Sequence, residues 1–147
     1  EIHKGHRYAP PAAGGFRRGY CICQRTFCNL LKSLNKAEKN ALKRFVRLWN
    51  KEIQATATAS MKRRSRRLTT KQEAESQAWR RKIARENPKL YPKDSDLVVA
   101  HVPDAVWGGK HKNGTHMPLP SSLNEAIGSI AQNVTKGTIY HRVRVGS

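Results

Sequence analysis

Positive charge is concentrated in the first two thirds of this 147-residue sequence, and this distribution limits where a hydrophobic core can form. Residues 1–93 hold 24 Lys and Arg against six Asp and Glu, whereas residues 94–147 hold five against four. A net charge of +19 requires an acidic partner, and nucleic acid is the default one. The sequence therefore predicts a basic part that binds phosphate and a nearly neutral part that carries chemistry.

The length fits one domain, and the elements predict an α+β fold that is predominantly helical. We divide it into an irregular basic arm over 1–19, a basic helical region over 20–93 and a small strand–loop–helix–strand catalytic region over 94–147. No run approaches the roughly 18 apolar residues of a membrane span, so none is predicted.

Two helices are predicted at the start of the basic region. The first is expected from Tyr20 to Leu34. The second begins after Asn35, and Glu38 three residues later completes a capping-box pattern. Its apolar positions recur every three to four residues and form one buried face, namely Ala41, Leu42, Phe45, Leu48, Trp49 and Ile53.

The densest run of charge, residues 61–71, is interpreted as a solvated linker that also contacts phosphates. A third helix is expected to follow Thr70 as its cap residue, with Glu73 three residues later as the capping partner, and to end at Asn87, which precedes a proline. Trp79 is expected to pack inward. The predicted nucleic-acid-binding residues of these two segments are Arg63, Arg64, Arg66, Arg67, Arg80 and Arg81.

The three cysteines, Cys21, Cys23 and Cys28, indicate free thiols in a reducing compartment. Zinc coordination together with His3 and His6 is the alternative. A disulfide between two of them in a secreted protein is also left open.

The catalytic region opens with a β-prone run, residues 97–100, that ends at His101. Pro103 is suited to the first position of a helical turn, and Asp104 then lies in that turn close to free backbone amides. Gly108 is expected to end the turn. This places a histidine at a strand end and a carboxylate three residues later.

The rest of this region is predicted as a loop over 110–120, a helix capped by Ser122 and Glu125 that runs to about Asn133, and a closing strand over 138–145. In that strand, alternation puts three side chains on one face, Ile139, Val143 and Val145, and three on the other, Tyr140, Arg142 and Arg144.

The residue types at His101 and Asp104 suit metal-assisted chemistry on phosphate. An ordinary imidazole is mostly uncharged at neutral pH and can accept a proton from water, while an ionised carboxylate can hold a hard cation. Mg²⁺ uses one or two protein carboxylates, and the scarcity of acids in this chain favours a single ion. The candidates for a second ligand are Asp94, Asp96 and Glu125, and those for supporting a phosphate or a leaving group are Lys110, His111 and His116.

The wider pattern resembles the type 15 polymorphic toxin domain. The segments that carry the likeness lie between 94 and 145: His101-Val102-Pro103-Asp104, Trp107-Gly108-Gly109, Met117-Pro118-Leu119-Pro120-Ser121-Ser122-Leu123-Asn124, Ile127-Gly128-Ser129 and Gly137-Thr138-Ile139-Tyr140. The resemblance implies a nuclease toxin, as in DNase effectors of bacterial type VI secretion, whose His-x-x-Asp motif is required for activity. It also implies a secreted domain that acts in the cytoplasm of a target bacterial cell, a cognate acidic immunity protein, and a glycine motif at Gly15 and Gly19.

A second resemblance is to the ββα-metal nucleases, with a histidine at a strand end and Asn124 on the following helix. The hypothesis is a metal-dependent endonuclease that hydrolyses DNA, with His101 as general base, Asp104 as metal ligand, Mg²⁺ as cofactor and Asn124 in support. RNA is kept as an alternative substrate. The competing class is a non-enzymatic basic RNA- or DNA-binding protein in which His101 is structural.

Overall fold

The structure is a computed structural model in which the described residues are 20–22 and 24–145. The predicted arm, the Gly15 and Gly19 pair, His3, His6 and Cys23 lie outside them. The elements in chain order are β1 (Tyr20–Ile22), α1 (Gln24–Ser33), α2 (Lys36–Ala55), β2 (Met61–Lys62), α3 (Thr70–Glu86), β3 (Leu97–His101), β4 (His116–Pro120), α4 (Ser121–Ile130) and β5 (Ile139–Val143). Two short 3₁₀ turns, Ala105–Trp107 and Ala131–Asn133, complete them. This is the predominantly helical α+β fold that the sequence predicts.

Helix α2 forms as predicted because both its start and its apolar face are encoded locally. The Glu38 amide donates to Asn35 Oδ1 at 2.8 Å, and the Asn35 amide donates to Glu38 Oε1 at 3.0 Å, which completes the capping box. The buried face consists of Ala41, Leu42, Phe45, Val46, Trp49 and Ile53. Leu48, which was expected in this face, is only partly buried.

An aromatic network in the main core connects α2 to the catalytic region. Trp49 Nε1 donates to the Tyr140 hydroxyl at 3.0 Å, and that hydroxyl donates to the Trp107 carbonyl at 2.5 Å. Trp107 Nε1 in turn donates to the carbonyl of Ile127 on α4 at 2.9 Å. Since all three rings are almost fully buried, these bonds fix the turn around Trp107 relative to α2, α4 and β5.

Strand β5 lies between β1, which is parallel to it, and β2, which is antiparallel. The helix predicted from Tyr20 therefore begins only at Gln24, because Tyr20–Ile22 pairs with the end of the chain.

The faces predicted for β5 were wrong at its first two residues, since Ile139 is 61% exposed and Tyr140 is fully buried, whereas Val143 is buried and Arg142 and Arg144 are exposed as predicted. The register against β1 shifts between Tyr20 and Cys21, which pair with Tyr140 and Arg142, and this irregularity breaks strict alternation.

The run predicted as a solvated linker is built into the fold. Met61 and Lys62 pair with β5, and the Arg63 amide donates to the Thr138 carbonyl at 2.8 Å. The prediction failed because the partner strand lies almost 80 residues further along the chain.

Helix α3 begins one residue earlier than predicted, since its capping box is formed by Thr69 and Gln72 rather than by Thr70 and Glu73. It ends at Glu86, just before Asn87, as predicted. Trp79 packs inward as expected, in a small second core with Tyr91 and Val99.

Strands β3 and β4 form an antiparallel hairpin in which His101 pairs with His116. The loop predicted over 110–120 therefore extends only to Thr115. Pro118 and Pro120 are tolerated because their spacing puts both missing N–H groups on the same side of the strand, where β4 is an edge. Helix α4 follows directly, with Pro120 and no side-chain bond at its cap, so the predicted cap at Ser122 and Glu125 was wrong.

Among the described residues, no helix combines the length and apolar character that crossing a membrane requires. Cys21 and Cys28 are not joined in a disulfide within this part of the chain.

Candidate functional site

Asp104 caps the 3₁₀ turn Ala105–Trp107. Its Oδ1 accepts a hydrogen bond from the Val106 amide at 3.0 Å, and the Val102–Pro103 bond before it is cis. Asp104 is thus the cap of the turn rather than its second residue, two positions ahead of the placement predicted from Pro103, and its side chain accepts a backbone amide of the turn as expected. Gly108 ends the turn with φ of +105°, and a Cβ there would lie 2.5 Å from the Lys62 carbonyl.

Two arginines attach the run of charge at residues 61–71, which we call the basic segment, to this turn. The Arg64 amide donates to the Val106 carbonyl at 2.8 Å, and Arg64 Nε donates to the Ala105 carbonyl at 3.0 Å. Arg63 is only 8% exposed, and its guanidinium donates to the carbonyls of Ala131 and Arg64 at 3.2 and 2.6 Å. The predicted phosphate contact through Arg63 therefore gives way to a structural role, because backbone carbonyls occupy its donors.

Asp104 lies in an open cleft of about 510 Å³, which we call the basic cleft. The cations that line it are Arg63, Arg64, Arg66, Arg67 and Lys136, and Glu73 is its second carboxylate. Arg66 and Arg67 are exposed. A Cβ on Gly128 would lie 3.7 Å from Asp104 Oδ2, so the absent side chain leaves this oxygen uncovered. The cleft thus presents the carboxylates of Asp104 and Glu73 among cationic side chains that attract phosphate.

The donor set of the basic cleft fits a divalent ion held mainly by water and substrate. Within the described residues, no three His, Cys, Asp or Glu side chains gather into a metal-binding group. Asp104 Oδ1 accepts the Val106 amide, so Oδ2 is the oxygen that could coordinate an ion with the least competition. Mg²⁺ is commonly held by one or two carboxylates with water and phosphate, whereas a structural zinc site needs four protein ligands.

His101, at the end of β3, is 2% exposed and lies against α3. Its ring stacks on Trp79 at 4.9 Å between centroids, with an interplanar angle of 11°. Nε2 lies 2.8 Å from Ser76 Oγ and accepts a hydrogen bond from Arg80 Nε at 3.3 Å. The buried Nδ1 has no hydrogen-bond partner within the described part of the chain, which costs about 1–3 kcal/mol.

The surroundings of His101 hold its imidazole uncharged at neutral pH. Burial lowers the pKa of His101 to about 4, and the charges of Arg80, His111 and His116 act in the same direction. Because the motif histidine is uncharged across the physiological range, it retains a lone pair that could accept a proton.

The residues of α3 that contact His101 and the residue of α3 that lines the basic cleft lie on successive turns of this helix. Glu73 lines the basic cleft beside Asp104, and Ser76 and Arg80, which contact His101, lie three and seven residues further along. Residues at this spacing share one face of a helix. The motif therefore forms a continuous region along α3, with the carboxylate in the open cleft and the histidine buried next to it.

The predicted supporting residues are dispersed. Lys110 lines a separate cleft of about 600 Å³ on the other side of the Val102–Pro103 bond. His111 Nε2 lies 3.5 Å from Glu75 Oε2, a carboxylate that also pairs with Lys112 and whose pKa that contact lowers. Neither Lys110 nor His111 is among the residues that line the basic cleft.

His116 is bonded to Tyr91. The Tyr91 hydroxyl lies 2.8 Å from His116 Nδ1, and burial raises the pKa of Tyr91 to about 12. Burial also lowers the pKa of His116. Asn124 is half-buried one turn before Gly128 on α4, and Arg81 is exposed on α3.

Four residues of this region were not predicted as site residues: Glu73, Ser76, Gly128 and Lys136. Ser76 was detectable only as a polar residue close to Trp79 on one helix face, with nothing to indicate that the face meets His101. Ser76 and His101 have the atoms of a nucleophilic pair, but both are more than nine-tenths buried and neither lines the two clefts described above.

Comparisons with protein-family models, curated proteins and solved structures found no match for this chain.

Proposed function

We propose that this protein is a metal-dependent nuclease toxin that hydrolyses phosphodiester bonds, with DNA as its substrate. The observation that carries the proposal is the position of Asp104, the carboxylate of the His-x-x-Asp motif, in a cleft whose other charged lining is almost entirely cationic. A cleft of this composition attracts a polyanion and at the same time offers an oxygen ligand to a hard cation.

The residues of the site divide the reaction between them. Arg66, Arg67 and Lys136, which line the basic cleft and are exposed, bind the phosphodiester backbone there. Asp104 would hold the ion through Oδ2, and Mg²⁺ there would neutralise charge on the scissile phosphate. His101, which is uncharged at neutral pH, accepts a proton from the attacking water.

The remaining parts of the proposal come from the charge and from the family resemblance. A net charge of +19 is masked by an acidic partner, which we propose is a cognate immunity protein. The site of action is the cytoplasm of a target bacterial cell after secretion. The order β3, β4, α4 is also the strand–strand–helix order that gives the ββα-metal nucleases their name.

The direct test is cleavage of supercoiled plasmid by the purified protein with Mg²⁺, and then with excess EDTA. We expect nicked and linear products with the metal and none after chelation, because Asp104 alone cannot replace the ion. An RNA of similar length, assayed in parallel, decides between the two substrates. Failure to cut either polymer with any divalent cation would contradict the proposal.

A non-enzymatic nucleic-acid-binding protein is the second candidate, and the burial of His101 favours it. A histidine that is 2% exposed and stacked on Trp79 could serve only to hold α3 on the hairpin. This function predicts tight, salt-dependent binding of the same polymers with no cleavage.

Substitutions of the exposed arginines in the basic segment should weaken DNA binding without changing the stability of the fold. Replacing both Arg66 and Arg67 with Ala should weaken DNA binding and reduce the salt slope by roughly two, because each lost phosphate contact contributes about 0.9. Their exposure predicts a change of less than about 0.5 kcal/mol in the free energy of unfolding. Filter binding at several salt concentrations measures the first effect, and urea unfolding the second.

Arg63→Ala is the matched control for that double variant. It should destabilise the fold by about 1–3 kcal/mol, since the carbonyls of Ala131 and Arg64 would lose a buried donor. Equal losses of stability in Arg63→Ala and in the double variant would show that the structural and surface roles are assigned incorrectly.

A further inference from the structure

The hydrogen bonds at His101 Nε2 determine where the ring carries its proton. An arginine Nε always bears hydrogen, so the bond from Arg80 Nε at 3.3 Å requires an unprotonated Nε2. Ser76 Oγ, 2.8 Å from the same nitrogen, then also donates. The single proton of the uncharged ring is therefore on Nδ1, the atom that has no partner among the described residues.

This arrangement leaves His101 without a usable lone pair in the structure as it stands. A general base must accept a proton at a bare nitrogen, and the bare nitrogen is covered by Arg80 and Ser76. Burial to 2% exposure keeps water away from the same atom. Activity at His101 thus requires that one of the two donors leaves Nε2.

Arg80 is the donor whose departure a substrate can drive. Its bond to Nε2 is the longer of the two, and its side chain is half-buried, whereas Ser76 is only 7% exposed. Helical side chains lean toward the N-terminus, so Arg80 extends along α3 toward Ser76 and the end that carries Glu73, at the basic cleft. A charge-assisted bond from guanidinium to phosphate is about twice as strong as a bond between neutral groups.

The other charged and titratable groups around this ring are fixed by partners of their own. On α3, Glu75 pairs with Lys112 and lies near His111, both of which are in the loop between β3 and β4. On β4, His116 is bonded to Tyr91. Arg80 is therefore the cation in contact with His101 that a ligand can attract without breaking one of these pairs.

We propose that Arg80 is a positioning residue that covers Nε2 of His101 at rest and exposes it when a phosphodiester in the basic cleft draws the guanidinium away. The inference rests on the proposed nuclease function. In the step that follows, a water O–H bond breaks and its proton forms an Nε2–H bond, which leaves an imidazolium with hydrogen on both nitrogens. The resulting hydroxide oxygen bonds to phosphorus as the bond from phosphorus to the leaving oxygen breaks.

Nitrogen NMR of protein labelled in its histidine rings tests the resting state. Wild-type protein should show one bare and one protonated nitrogen for His101, assigned to Nε2 and Nδ1. Arg80→Ala should give a mixture of the two tautomers and a higher titration midpoint for His101, because a cation beside the ring is removed. Lys82→Ala, which removes a nearby exposed charge of the same helix, should match the wild type. An unchanged tautomer and midpoint in Arg80→Ala would overturn the proposal.

The same spectra recorded with a non-cleavable dinucleotide phosphodiester analogue test the coupling. The analogue should raise the His101 midpoint and shift its Nε2 signal in wild type and in Lys82→Ala, and should do neither in Arg80→Ala. Arg80→Lys keeps a cation but not the Nε contact, so at rest it should show the tautomer mixture of Arg80→Ala with a midpoint closer to that of wild type, which covers the case that the alanine variant does not fold. Equal responses in wild type and Arg80→Ala would contradict the proposal.

The NMR and cleavage results distinguish the two hypotheses. If the protein cleaves DNA but His101 does not respond to the analogue, the proposed role of Arg80 is wrong and the nuclease function stands. If His101 shows the Arg80-dependent response but the protein cleaves no nucleic acid, the nuclease function is wrong and the response of His101 to phosphate stands.

Discussion

Asp104→Asn is expected to lower plasmid cleavage by at least about 100-fold, the usual cost of removing one group that stabilises charge in a transition state. The substitution replaces the charged Oδ2 beside Gly128 with an amide nitrogen, which cannot bind Mg²⁺. It keeps the remaining oxygen available to accept the Val106 amide, and asparagine is as good a cap as aspartate. Activity should thus be lost without loss of the turn.

Two measurements isolate that effect. Urea unfolding of Asp104→Asn should agree with wild type within about 0.5 kcal/mol, which separates chemistry from folding. Glu125→Gln, on the exposed side of α4, removes a carboxylate outside the basic cleft and should cleave at the wild-type rate. Wild-type cleavage by a well-folded Asp104→Asn would refute the assignment of Asp104.

Local patterns in the sequence were sufficient to predict several elements of this fold. The capping box at Asn35 and Glu38 and the apolar period after it depend only on neighbouring residues, so α2 was predicted with its buried face. The β-branched run before His101 likewise predicted β3. In both cases the information lies within one element.

Elements that depend on distant partners were missed. Strands β1 and β2 are two or three residues long and exist because both pair with β5, far along the chain. The two prolines in β4 indicated a loop, and only the pairing with β3 shows that their missing donors are on an open edge. Strands this short are difficult to predict because they contain too few residues to show a recognisable sequence pattern.

The same limit applies to the site. The motif itself was predicted, but a run of arginines contains nothing to show that Arg63 is buried against Ala131, 68 residues away, while Arg66 stays exposed. Ser76 and Arg80 had the spacing of one helix face, yet their partner His101 became apparent only once α3 was placed on the hairpin.

Acid should destabilise the protein through His101 well before its carboxylates become protonated. The pKa of His101 is about 4 in the folded protein and about 6.5 in an unfolded chain, so between these values the unfolded state binds a proton that the folded state rejects. Stability is therefore full above about pH 6.5 and falls as the pH is lowered toward 4. At about 1.36 kcal/mol per pKa unit, the loss reaches about 3 kcal/mol.

Neighbouring groups add to this effect or act at lower pH. Burial lowers the pKa of His116 as well, so its contribution has the same sign. Glu75 has a pKa below its ordinary value, mainly because of its bond from Lys112, and its contribution is lost only at pH values below those of the histidines. The steepest histidine-dependent loss should accordingly lie between about pH 6 and pH 5.

The variant His101→Gln tests whether the loss of stability in acid comes from His101. The introduced amide keeps an acceptor for Ser76 and Arg80 but does not titrate, so His101→Gln should have a lower slope of unfolding free energy against pH by about one proton between pH 6 and 5. Because the slopes of unfolding free energy against pH are compared, and not the free energies themselves, the test remains valid if the variant is less stable at every pH. Direct titration of the His101 ring by NMR gives the folded-state pKa independently, and a midpoint near 6.5 would contradict the prediction. A low midpoint together with an unchanged slope in the variant would instead mean that acid unfolding begins elsewhere than at the α3–hairpin contact.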